Sequence, residues 1–105
     1  MLYQCAYFIQ YHTFSCPSCT PDHSKVTGLS TVIVFAEDKA QALARAGRLI
    51  AKENHQISDF LKMHILQEKN QQMFGHVLKS LYCRAELYGA ALHFDPFPVT
   101  PHCRR

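Results

Sequence analysis

The densest group of chemically capable side chains lies between positions 12 and 23: His12, Cys16, Cys19 and His23, spaced His-x3-Cys-Pro-Ser-Cys-x3-His. Zinc takes imidazole nitrogen and thiolate sulfur in tetrahedral array, and two cysteines two residues apart reach one ion from a tight turn. A structural zinc here would clip the loop and order it for a partner. The pattern is incomplete as a zinc motif, because no second Cys-x2-Cys or His-x3-His pair follows and His12 belongs to a segment that reads as strand. Cys-Pro-Ser-Cys also has the spacing of disulfide exchange, but that chemistry puts the first sulfur at a helix N-terminus, and Thr20-Pro21 does not read as a helix start. The ordinary reading is a loop with unconnected thiols and no cofactor. The sequence leaves all three open.

A second group is electrostatic. Gln41, Arg45, Arg48 and Lys52 recur at helical spacing, and the three cations fall within about 60° of helix circumference, a compact positive patch for phosphates or an acidic protein surface. Set against this, a charged helix face is usually just solvated. Tyr3, Tyr7 and Tyr11 share one strand face, as a base-stacking platform or, more ordinarily, as core. Catalysis has little to build on: the chain has no Gly-rich phosphate loop, no Gly-x-Ser-x-Gly elbow and no His-Glu-x-x-His helix. Asp59, Glu68 and Glu86 are scattered carboxylates, and His55, His64, His76 and His93 stand alone. The expectation is a protein that is not an enzyme.

The elements that must position these groups are partly readable. Residues 2–14 are dense in aromatic and β-branched types with Tyr3, Cys5, Tyr7, Ile9 and Tyr11 on one pleat face, and predict a strand. Residues 15–28 carry prolines, a glycine and small polar residues, which is loop chemistry. Residues 29–36 include Val32-Ile33-Val34-Phe35 and predict the second strand of an antiparallel hairpin. A helix over 38–53 starts at Asp38, with Gln41 completing a capping-box pattern, and stops at Asn54-His55 because Asn tolerates the left-handed conformation. Ala40, Leu43, Gly47, Ile50 and Ala51 form its expected buried side, opposite the cations.

Residues 57–66 alternate Leu61, Met63 and Ile65 with Lys62 and His64 and predict a third strand, with a helix capped by Ser58 as the rival. From Gln71 to about Phe94, apolar residues at threes and fours predict a second amphipathic helix. Gly75 and Gly89 weaken it, and alternation over 81–88 offers a strand instead. The expected fold class is therefore α+β: a small antiparallel sheet in β-β-α-β order packed by the 38–53 helix, then a C-terminal amphipathic helix. Residues 1–95 form a single domain in this reading, and 96–105, with three prolines, an extended tail.

Bulk properties set the frame. At 105 residues, 48% hydrophobic and 18% charged, the chain has the composition of one globular domain and not of a disordered one. No apolar run approaches the roughly 20 residues of a membrane helix, and Met1 to Cys5 lacks the basic start of a secretory signal, so the expected location is cytoplasmic, away from membranes. Five cysteines, an odd number, then read as thiols or metal ligands. A net charge of +3 permits a nucleic-acid or acidic partner without demanding one, and oligomeric state is left open.

Ala6 to Gln10, then Val32 to Ala42, then Ile50 to Asn54, together resemble the strand, strand, helix, strand core of small phage and mobile-element proteins, some anti-CRISPR inhibitors among them. The likeness spans about residues 3–66 and is one of pattern. It implies a non-enzymatic inhibitor that occupies a surface of a host nucleoprotein defence complex. The chain departs in being mildly basic and in its Cys/His loop, and no functional residue carries over. The leading expectation is a small binding protein acting by steric or competitive contact on a protein or ribonucleoprotein complex, with Gln41, Arg45, Arg48 and Lys52 as contacts. The alternative is a zinc-stabilised nucleic-acid-binding or regulatory module, with His12, Cys16, Cys19 and His23 as ligands.

Overall fold

A computed structural model describes residues 4–15, 26–66 and 75–97. Strands β1 (Cys5–Ser15) and β2 (Val26–Ala36) pair antiparallel without a break from Cys5 opposite Ala36 to Ser15 opposite Val26. Helix α1 (Lys39–Lys52), strand β3 (Gln56–Leu66), helix α2 (His76–Tyr88) and strand β4 (Ala90–Pro96) follow. The four strands form one sheet in the order β3-β1-β2-β4, with every neighbouring pair antiparallel. The fold is α+β, as the residue patterns predict.

The caps of α1 are the sequence signals at work. Asp38 Oδ1 accepts from the Gln41 amide at 2.8 Å, and Gln41 Oε1 accepts from the Glu37 amide at 2.8 Å, so two orphan donors are satisfied reciprocally. At the other end Asn54 takes φ 65, while its amide bonds to Ala51 O and that of His55 to Ile50 O, the paired bonds of a Schellman ending.

Each helix covers one face of the sheet. Ala42, Ala46 and Ile50 of α1 pack on Tyr7, Ile9, Val32 and Val34, and Leu81 and Ala85 of α2 pack on Ala6, Ile33 and Ala91 on the other side. The alternating residues of β2 are therefore buried both ways, which explains its uninterrupted apolar run. Tyr7 and Tyr11 are core residues, not a stacking platform; Tyr3 lies outside the described residues.

Two expectations are corrected. First, α1 is turned by about one residue step, roughly 100°: Ile50 is buried as expected, but Ala40 and Ala51 are exposed, Gly47 is half-buried and Leu43 is 39% exposed. With alanines on every side, the apolar stripe is weak, and Arg45 fixes the rotation by donating to the Phe35 carbonyl at 2.5 Å. Second, the long C-terminal helix is broken. Gly89 takes φ 89, a left-handed conformation that ends α2, and its carbonyl accepts from the Phe35 amide. Residues 90–96 then complete the sheet beside β2, from Val34 opposite Ala90 to Gly28 opposite Pro96.

Candidate functional site

Of the four expected metal ligands, only His12 lies among the described residues; Cys16, Cys19 and His23 lie outside them. His12 is on the α2 face near the hairpin end, with Nδ1 4.0 Å from Asp59 Oδ2 and its ring edge-on to Phe97 at 5.5 Å. Among the described residues no three His, Cys, Asp or Glu side chains are grouped to hold a metal ion.

The expected cationic stripe divides. Gln41 and Arg45 are half-buried and hydrogen-bonded locally, whereas Arg48 and Lys52 are exposed. Arg45 and Arg48 border an open hollow of about 260 Å³ with Tyr88, Gly89 and Ala90. Tyr88, the last residue of α2, is 79% exposed there.

A larger cleft of about 370 Å³ lies beneath the start of α2, between Val77, Leu78, Leu81 and the sheet residues Phe8, Gln10, Thr31 and His93. Gln10 Nε2 donates to Thr31 Oγ1 at 3.2 Å on its floor. This floor belongs to a polar row that crosses all four strands: Lys62, Gln10, Thr31 and His93. On the row beside it, the His64 ring stacks on Phe8 at 4.7 Å, and Lys62 Nζ stands 5.8 Å from the Phe8 centroid.

The most unusual surface is β3 itself. As the sheet's outer strand it presents eleven residues of backbone with no neighbouring strand on one side among the described residues. Edges of this kind are normally short, covered or heavily charged, because they template pairing with another chain. Here Ile57, Phe60, Leu61 and Ile65 are 40% to 53% exposed, four large apolar side chains along one strand. Neither helix reaches it fully: only Met63 of β3 packs on the α1 core, and only Leu66 on the α2 core. Pairing with β1 also slips twice, between Gln10 and Tyr11 and between His12 and Thr13, which leaves Leu61 and Ser58 as extra residues. The Ser58 hydroxyl donates to the His12 carbonyl at 3.0 Å and anchors the second bulge.

Sequence reading places residues 57–66 in a strand but not at the edge. The alternation over 57–66 signals a half-buried strand, and only the topology shows that, among the described residues, most of β3 is covered by neither helix. No helix among the described residues is long and apolar enough to cross a membrane. No protein-family model matches the chain, and no curated protein or solved structure is significantly similar to it.

Proposed function

We propose that this is a non-enzymatic binding protein that acts by contact and takes a protein chain along β3 by strand addition. The observation that carries the reading is the eleven-residue edge of β3, which has no neighbouring strand on one side among the described residues and bears exposed apolar side chains. Backbone hydrogen bonds supply affinity in this mode of recognition, and the flanking side chains supply selectivity. Steric occupation of a host defence complex, which the likeness to phage inhibitors implies, is one form such contact takes. Arg48 and Lys52, exposed on α1, favour acidic over basic partners.

Affinity capture from the native host, with partners identified by mass, tests the reading. Phe60→Ser with Ile65→Thr removes exposed apolar surface, so the fold is expected to persist while capture falls at least ~10-fold. Native capture by this variant, together with loss of capture by Arg48→Glu with Lys52→Glu, would move the site to α1. Stoichiometric zinc and binding to nucleic acid that weakens steeply with salt would favour the zinc-stabilised module instead.

A further inference from the structure

We infer that the chain for which β3 is built is a second copy of this protein, joined β3 to β3 antiparallel into one eight-stranded sheet. The inference rests on the reading of β3 as the docking edge and names its occupant. A twofold axis perpendicular to the sheet keeps each face of one copy continuous with the same face of the other, and makes every contact occur twice.

The side chains of β3 are self-complementary about one such axis, between Phe60 and Leu61. In that register Asp59 stands opposite Lys62 of the second copy, and Lys62 opposite its Asp59. Phe60 likewise faces Leu61 of the second copy, twice. Opposite charges across an antiparallel pair favour a register, and like charges oppose it.

The bulge is what permits this. Residues three apart in a regular strand point to opposite faces. Asp59 and Lys62 instead pair with His12 and Gln10, alternate residues of β1, and so share one face, because Leu61 is the extra residue between them. Without that insertion the charges would lie on different sides of the sheet and could not meet their mates. Asp59 is well exposed, at 71%, and His12 Nδ1 lies 4.0 Å from its Oδ2, beyond hydrogen-bond range.

The remaining surface fits the same occupant. A stable interface needs about 800 Å² per partner, more than one strand edge supplies. The exposed Ile57, Phe60 and Ile65 lie on the α1 face, opposite Thr13, Tyr11 and Tyr7, so the axis sets the Phe60 ring beside its own symmetry mate, with Ile57 and Ile65 farther out along the same face of the seam. Self-repulsion is weak despite the net charge of +3. Each α1 packs over β2, so five strand spacings, about 24 Å, separate the two cationic helices, against a screening length of about 8 Å in physiological salt.

Sedimentation of the full chain over ~5 to ~200 µM tests the inference, with far-UV circular dichroism as the check on folding. The native chain is expected to pass from monomer to dimer. Asp59→Lys and Lys62→Asp each turn two attractive pairs into two repulsive ones, and each should weaken the dimer about 10-fold. The double variant restores both pairs and should return the affinity to within about 3-fold of native. A monomer at every concentration, or a double variant no better than the singles, overturns the inference. Should the monomer still capture a different protein in a manner lost on Phe60→Ser with Ile65→Thr, the occupant is wrong and the docking edge stands. If association of neither kind responds to those two substitutions, both fail.

Discussion

A methyl group added at Gly28 should unseat one end of the sheet. Gly28 pairs with Pro96, and a Cβ there would stand 2.7 Å from Pro96 Cα and 2.8 Å from Phe94 Cζ, closer still to the Asp95 carbonyl oxygen. Two of these three atoms are backbone, so rotamer change alone cannot relieve the clash; β4 must move away from β2. Overpacking of this kind costs about 1–3 kcal/mol. Displacement also strains the bond from the Phe97 amide to the Thr27 carbonyl, now 2.9 Å, for a further ~0.5–1.5 kcal/mol. Against this, Ala restricts the unfolded chain and returns about 0.4–1 kcal/mol. The net loss for Gly28→Ala is about 1–3 kcal/mol, or a Tm lower by roughly 5–20 °C. Gly47→Ala is the internal control, because nothing lies within 4 Å of a Cβ at that helical position, and it should gain ~0.5–1 kcal/mol. Urea denaturation of both variants checks the pair. A Gly28→Ala protein as stable as native, or a Gly47→Ala protein less stable, would refute the reasoning.

The two faces of the sheet should lose stability independently. Ile50→Ala on the α1 face and Ile33→Ala on the α2 face each open a cavity and should cost about 2–5 kcal/mol. Because the two side chains belong to separate clusters, the first step in checking additivity is Ile→Val at both sites, where the sum should hold within ~0.5 kcal/mol. Thr13 Oγ1 and Ser30 Oγ share a buried 2.5 Å hydrogen bond. Thr13→Val strands the serine hydroxyl and should cost ~1–3 kcal/mol, part of which Ser30→Ala then recovers in a double-mutant cycle. Burial raises the Tyr11 phenol above its ordinary pKa of 10.0. The folded state therefore retains that proton where the unfolded state releases it, so stability is intact below about pH 10 and declines as pH rises above it. Ultraviolet titration of native and Tyr11→Phe protein checks both the late ionisation and the loss of this slope.

How far the fold was legible depended on whether the deciding interaction was local. Asp38, Gln41 and Asn54 act on their own helix ends, and all three behave as their residue types dictate. Val32 to Val34 could be placed in a strand because burial on both faces leaves no polar position to interrupt the run. The rotation of α1 was hidden because it depends on Arg45 reaching a carbonyl ten residues back in the chain. Strand β4 was hidden for a related reason. Leu92 continues the spacing of Leu81, Ala85 and Tyr88, so helical periodicity runs on past Gly89, and only pairing with β2 ends it. The open edge was least legible of all: Ile57, Phe60, Leu61 and Ile65 carry the pattern of buried residues, and nothing local says that cover is missing.

That missing cover follows from how two helices divide four strands. A helix is about 10 Å across with its side chains, and strands stand about 4.8 Å apart, so one helix shields about two strands of a face. On their opposite faces both helices spend that width over the β2 half of the sheet: α1 over β2 with parts of β1 and β4, α2 over β2 and β4, with Ala6 the buried contribution of β1 to the second cluster. Centring both on β2 buries Ile33, Val32 and Val34 completely and gives the molecule its core. Among the described residues the same choice leaves most of β3 uncovered by either helix, with only Met63 and Leu66 packed on their cores, which a sheet with helices offset toward opposite edges would avoid. An extra copy of the sheet supplies what a third helix would otherwise have to, since it adds a strand at the edge and an apolar strip beside Phe60 in one step. The bulge at Leu61 then reads as the feature that favours a second copy as the added strand, because it sets Asp59 and Lys62 on one face, where the Lys62 and Asp59 of an antiparallel mate answer both.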